Sequence, residues 1–259
     1  MSTRPRVLIT GAARRIGCAI ARELAAAGFD LVLHARASAA DARALAATLR
    51  ARDVRVDVVL GDLADAQACD ALMAQAVAEG RPLDALVNNA SHFDYDRLET
   101  FGFDALDAHQ HVNVGAPLLM TRALHAHLQR RGAQGCVVNL LDQKLANPNP
   151  DYLSYTLSKA ALAAATPMLA AALAPTLRVC AVSPGVTLPS GSMSEAEFAR
   201  AHRMTPLQRS SAPEDIARAV RFLLESPAIT GVNLLVDGGQ HLQAQPRDVM
   251  FMAREGNDA

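Results

Sequence analysis

Net charge is nearly absent from this chain: 25 Lys and Arg stand against 26 Asp and Glu over 259 residues, which leaves −1. A balance this even creates no global field to draw nucleic acid or an anionic membrane, so neither is expected as a partner. Cysteine is scarce too. The four thiols (Cys18, Cys69, Cys136, Cys180) are far apart and form no CxxC pair, which argues against a disulfide framework or a zinc site and for buried free thiols in a reducing compartment. The apolar run Val7-Leu8-Ile9 near the start is too short for a signal-peptide core or a membrane span, so the cytoplasm is the expected location. No low-complexity linker and no repeat of 20–50 residues divides the chain, and residues 1–259 are expected to form one domain.

What is present is hydrophobic mass: 51% of residues are apolar, many of them alanine, which suits helices packed closely on a sheet. An α/β chain of this length buries roughly three quarters of its unfolded surface. Short apolar runs, expected as strands, lie at Arg6–Thr10, Leu31–His34, Val56–Leu60, Leu83–Asn88, Cys136–Leu140, Arg178–Ser183 and Asn233–Val236. Stretches of helical period separate them: Ile16–Ala27, Ala39–Arg52, Ala66–Glu79, Phe103–Gln129, Tyr155–Leu173 and Pro213–Glu225. Strands apolar on both faces and alternating with helices imply an α/β fold, a doubly wound, parallel, seven-stranded sheet of Rossmann type with helices on both sides. Pro167, inside the fifth of these helical stretches, is expected to remove one backbone bond and bend it. Residues 186–211 read as a lid over a ligand or as a surface loop with a short helix. The tail, residues 243–259, carries the apolar patch Val249-Met250-Phe251-Met252, which either docks on its own or a neighbouring subunit or frays.

Chemistry concentrates at the expected carboxyl edge of the sheet. Thr10-Gly11-Ala12-Ala13-Arg14-Arg15-Ile16-Gly17 runs from the first strand into the first helix. Small residues there let backbone approach a pyrophosphate, and the helix start offers free N–H groups and a positive dipole. After the second strand comes His34-Ala35-Arg36-Ala37-Ser38, with no carboxylate to hold a ribose diol. An arginine and a hydroxyl instead suit a 2′-phosphate, hence NADP(H); the bland alternative is an arginine on a solvated loop. Asp62-Leu63 follows the third strand and Asn88-Asn89-Ala90 the fourth. Tyr155 and Lys159, four apart, share one helix face. A phenol has a free pKa of about 10, and a neighbouring ammonium is expected to lower it, which makes the pair a candidate general acid. The pairs His109/His111 and His125/His127 are spaced two apart, diverge on a helix and are not read as metal ligands.

Taken in order and spacing, Thr10–Gly17, Asp62, Asn88-Asn89-Ala90, Asn113, Tyr155/Lys159, Ser183-Pro184-Gly185 and Asp237-Gly238-Gly239 resemble the short-chain dehydrogenase/reductase family, over roughly Arg6 to Leu242. The resemblance implies that Tyr155 donates the proton, Lys159 holds the nicotinamide ribose, Asn113 supports a water relay, and Gly11, Arg14, Arg15, Ile16, Gly17, His34, Arg36, Ser38, Asp62, Leu63, Asn89, Ala90, Ser91, Pro184 and Gly185 surround NADP(H). It also implies a homotetramer acting on a small molecule.

Two departures narrow the resemblance. Asp142 stands where the family has a serine, and Arg15 where it has a glycine; with Asn89-Ala90-Ser91-His92-Phe93, both are similar to the pteridine reductases and the bacterial dihydromonapterin reductases. That likeness gives Ser91, Phe93, Arg15, Asp142 and Tyr155 to a pterin. The phosphate-binding arginine of those enzymes falls at Ala37 here, with Arg36 one place earlier. Chemistry favours the same reading: an aspartate would repel the oxyanion of a reduced ketone, whereas a buried, protonated aspartate can relay a proton to the nitrogen of a C=N bond. Phe93 is able to stack on a flat ring. The alternatives are that Asp142 caps a turn and Phe93 is core, that the substrate is a ketone or 3-oxoacyl thioester, or that the chain is a non-catalytic NADP-binding regulator.

Overall fold

The computed structural model describes residues 4–77, 81–190 and 193–255. Seven strands, β1 (Arg6–Ile9), β2 (Asp30–Ala35), β3 (Val56–Leu60), β4 (Ala85–Asn88), β5 (Gly135–Leu140), β6 (Leu177–Pro184) and β7 (Asn233–Val236), form one sheet in the order β3-β2-β1-β4-β5-β6-β7. Every pairing is parallel; Val7, for example, lies between Leu31 and Ala85. The order reverses at β1, where the chain crosses from the β2 side to the β4 side. Such a reversal opens a crevice at the carboxyl ends of the strands.

The helices are α1 (Arg15–Ala26), α2 (Ala39–Arg50), α3 (Ala66–Ala76), α4 (Phe103–Gln110), α5 (Ala116–Arg131), α6 (Leu153–Leu173), α7 (Glu195–Arg203), α8 (Pro213–Glu225) and α9 (Val249–Glu255). Strand alternation divides the core in two. Val7, Ile9, Leu31, Leu33, Val87 and Val138 meet α1, α2 and α8, while Leu8, Val32, Leu86 and Val137 meet α3, α5 and α6. Each fully buried Leu, Ile or Val contributes ~1.5–3 kcal/mol over exposure, which is why such residues fill the centres of β1, β2 and β4, strands buried along their length. The elements therefore match the expected alternation, with boundaries displaced by a few residues; the last part of the expected helix at Ala66–Glu79 lies outside the described residues.

Three local features refine the expected outline. The long helix read over Phe103–Gln129 is two helices joined by a π-turn, His111–Gly115, that presents Asn113 inward. Helix α6 runs unbroken through Pro167. It is also long and apolar enough to cross a membrane by length and composition alone, yet it packs on β6 and carries buried Lys159. The tail docks on the chain itself over Val249–Glu255, which forms α9 with Val249, Met250 and Ala253 buried; residues 256–259 of the expected tail lie outside the described residues. Helix α7, opened by a reciprocal cap between Ser194 and Glu197, packs against α9, and Met193 and Met250 line one cavity.

Candidate active site

The turn after β1 is clipped to the turn after β4. Thr10 Oγ1 accepts the backbone N–H of Asn89 (2.9 Å) and of Ala90 (3.0 Å), and Asn89 Nδ2 donates to the carbonyls of Thr10 (2.8 Å) and Gly11 (3.2 Å). Gly11 takes φ +62°, and a Cβ on Gly17 would lie 2.3 Å from Gly11 O and 2.7 Å from Asn89 Nδ2. Only glycine lets α1 begin this close to the strand. No side chain caps that helix start, so its N–H groups face the crevice uncommitted. A cradle of small residues ending at an open helix N-terminus fits a dinucleotide pyrophosphate.

The ribose end is arranged differently from expectation. His34 is buried, its Nδ1 accepts Gly11 N–H (3.2 Å) and its Nε2 faces Gly61 O at 3.1 Å. Burial holds its pKa below the usual histidine value. With both nitrogens committed to backbone, the ring braces the β1 turn. Arg14 pairs with Asp41 across α1 and α2. Arg36 is exposed and Ser38 half-buried beside it, leaving Arg36 open to a 2′-phosphate. Asp62 accepts Ala64 N–H (3.0 Å) in a tight turn, and Leu63 is buried beneath it.

Deeper in the crevice the chemical groups converge. Tyr155 Oη donates to Asp142 Oδ2 at 2.8 Å, and Lys159 Nζ donates to Leu140 O at 2.7 Å while standing 5.7 Å from the Tyr155 ring centre. All three line one cavity, together with Arg15, Ser91, Phe93, Pro184 and Gly185. Asp142 does cap a turn: its Oδ1 accepts Lys144 N–H at 2.8 Å. Its other oxygen remains for Tyr155, so the capping and chemical readings hold together. Burial raises the Asp142 pKa more than its hydrogen bonds lower it. The Tyr155 phenol moves opposite to expectation. Burial, then the adjacent Asp142 charge, push its pKa well above 10, and Lys159, itself depressed to about 8 by burial, does not offset them. Both shifts favour the protonated forms of the pair.

Asn113 side-chain atoms are spent on protein partners: Oδ1 accepts from Ser91 Oγ (3.1 Å) and His92 N (2.8 Å), and Nδ2 donates to His92 O and Ser158 Oγ, each at 2.9 Å. Its side chain therefore fixes the Ser91-His92 segment; the expected water relay has no side-chain atom left to use. Phe93 is not core. It stays 41% exposed, stacked on Tyr152 (centres 4.5 Å, planes 14° apart) and edge-on to Tyr155. Arg15, at φ +53°, reaches Pro189 O at 3.0 Å and ties the cofactor turn to the loop before α7.

Several cavity residues escaped sequence reasoning. Tyr152 holds φ +56° at the start of α6, with Lys144 Nζ 5.3 Å from its ring centre and its Oη 3.9 Å from Met250 Sδ. A non-glycine residue held in the left-handed region costs of order 1–3 kcal/mol and marks sites whose geometry is imposed by the surroundings. No sequence signal announces it. Met250 and Asp248 come from the tail, whose apolar patch was the available clue.

Comparison with known proteins accords with this arrangement. The family model described as enoyl-(acyl carrier protein) reductase matches residues 11–241. Pteridine reductase 1 of Leishmania tarentolae is 33% identical over 93% of this chain and 97% of its own, and the granaticin polyketide synthase putative ketoacyl reductase 2 of Streptomyces violaceoruber is 35% identical over 92% and 96%. Among solved structures, FolM alternative dihydrofolate reductase 1 from Brucella canis, complexed with NADP, has a TM-score of 0.87 at 38% identity, covering 94% of this chain and 97% of that one. The chain belongs to the short-chain dehydrogenase/reductase family, and it is an oxidoreductase.

Proposed function

We propose that the protein is an NADPH-dependent reductase of a dihydropterin, with Tyr155 and Asp142 delivering the proton. The observation that carries this reading is the 2.8 Å contact between Tyr155 Oη and Asp142 Oδ2 at the wall of the cavity. NADPH, when bound, supplies the hydride that reduces the carbon of a C=N bond. Gly11, Gly17 and the open start of α1 hold the pyrophosphate; Arg36, with Ser38, takes the 2′-phosphate, and Lys159 the ribose. The relatives solved with NADP, from Brucella canis and Brucella suis, support the same cofactor here. Tyr155 then passes its proton to the ring nitrogen, and Asp142, whose pKa burial raises, replaces that proton from its own acid form. Lys159, 5.7 Å from the ring centre, counters the charge that builds on the phenol oxygen. Phe93 and Tyr152 offer a flat aromatic surface, and Ser91, oriented by Asn113, a hydroxyl at the edge of the substrate.

A ketoacyl substrate is the second reading, carried by the granaticin relative. Asp142 weighs against it, because it stands where the family keeps a serine, the hydroxyl donor suited to the oxyanion of a reduced ketone. The test is NADPH oxidation with dihydrobiopterin, dihydromonapterin, dihydrofolate and an acetoacetyl thioester side by side. Turnover of a dihydropterin is the expected result; turnover of the thioester alone overturns the proposal. We place the enzyme in the cytoplasm and assign it a homotetramer, which the exposed apolar side of α6 (Leu157, Ala160, Ala164, Met168) supports. Light scattering giving the mass of a monomer would refute the assembly.

A further inference from the structure

The C-terminal segment enters the cavity in a specific way. Arg247 grips Asp151 with two bonds, Nε to Oδ2 at 2.8 Å and Nη2 to Oδ1 at 2.9 Å, and Asp248 N–H donates to Asp151 Oδ2 at 2.8 Å. Asp151 is buried and stands just before the helix that carries Tyr155. The far side of the segment is fastened to α7, through Arg254 to Glu197 (3.2 Å) and Arg200 Nε to Ala253 O (2.9 Å). Held at both ends, the segment presents Asp248 and Met250 to the same cavity as Tyr155 and Asp142. Asp248 is not saturated there. Oδ1 accepts Met250 N–H at 3.1 Å, Oδ2 stands 3.4 Å from Lys144 Nζ, and the side chain remains 22% exposed. A carboxylate has about four acceptor positions, so acceptor capacity is left facing the cavity.

We infer that Asp248, delivered by the C-terminal segment, is a specificity-determining residue that accepts a hydrogen bond from a hydroxyl on the substituent of the reduced ring. This rests on the dihydropterin reading. The clamp explains why a tail would be fastened to Asp151: a carboxylate must be held near its target to discriminate, and a swinging tail could not do so. Lys144, buried and donating to Asp151 O at 2.5 Å, offsets the Asp248 charge without occupying its open side. Met250, packed with Tyr152, Tyr155 and Met193, closes the apolar flank of the same pocket.

The test compares dihydrobiopterin, which carries a hydroxylated side chain, with 6-methyl-7,8-dihydropterin, which carries none, in wild type and Asp248→Asn. Asparagine keeps the shape and the Met250 cap but not the charge. The expected result is a fall of about tenfold in the ratio of kcat/KM, hydroxylated over methyl, the loss typical of one hydrogen bond to a charged acceptor. An unchanged ratio overturns the inference while leaving the dihydropterin reading intact. Wild type that reduces neither pterin overturns both. NADPH binding, followed by fluorescence, reports whether the variant is folded; if it is not, Asp248→Glu, which retains the charge but displaces it, is judged on the same ratio.

Discussion

Replacing Asp142 by asparagine separates the two jobs its oxygens perform. The Oδ1 cap on Lys144 N–H survives, because an amide oxygen accepts as well as a carboxylate, so the turn from Gln143 to Ala146 should keep its place. The Oδ2 contact to Tyr155 becomes an amide that has no proton to give. A positioned general acid is worth about 10²–10⁴-fold, so kcat should fall by roughly that factor, with NADPH affinity unchanged. The pH profile gives a sharper readout. The active form of Asp142 is protonated and its pKa is raised by burial, so wild-type kcat should be flat at low pH and decline as pH rises through that pKa. Asp142→Asn should lack this decline. Stability should move the same way: a carboxyl whose folded pKa exceeds its unfolded value loses stability as pH climbs through the folded value. The Tm of wild type should therefore drop relative to Asp142→Asn between acid and neutral pH. Steady-state rates from pH 5 to 9 and thermal melts over the same range check both. Activity within threefold of wild type, or a decline that persists in the variant, would refute the relay.

Other perturbations follow from the same geometry. Lys159→Met should weaken turnover at least a hundredfold, and it should also remove a stability slope. With the folded pKa near 8 and the unfolded one near 10.5, the unfolded chain holds more protons between these values, so wild-type stability rises with pH there; melts from pH 8 to 9.5 read the difference. Gly17→Ala drives a Cβ to 2.3 Å from Gly11 O, and an overpacking cost of about 1–3 kcal/mol should appear as a lowered Tm and a raised NADPH Kd. Arg36→Ala should raise the Kd for NADPH about tenfold and leave that for NADH unchanged, as expected for loss of a charge-assisted bond to the 2′-phosphate. An equal loss for both cofactors would move the phosphate site elsewhere.

The sheet was legible because its signal is repetitive: β1, β2 and β4 each hold an unbroken apolar run, and Ala-rich helices of clear period lie between the strands. The pair of Tyr155 and Lys159 was legible because a helix converts a spacing of four into a shared face. The bracing role of His34 was hidden for a physical reason: its ring links Gly11 to Gly61, residues that only the fold brings to either side of it. The upward shift of Tyr155 was hidden in the same way, since burial and Asp142 act through space and outweigh the helical neighbour. Tyr152 left no mark because a positive φ is imposed by the fold around it. The C-terminal segment was half legible: its apolar patch implied docking, but the partner that fixes it, Asp151, lies 96 residues away in sequence from Arg247.

Single-turnover mixing of NADPH-loaded enzyme with dihydrobiopterin tests the core of the account most directly. Tyr155→Phe should bind NADPH as wild type does, yet oxidise it at least a hundredfold more slowly in that first turnover. A first turnover as fast as that of wild type would contradict the assignment of Tyr155 and, with it, the proton path through Asp142.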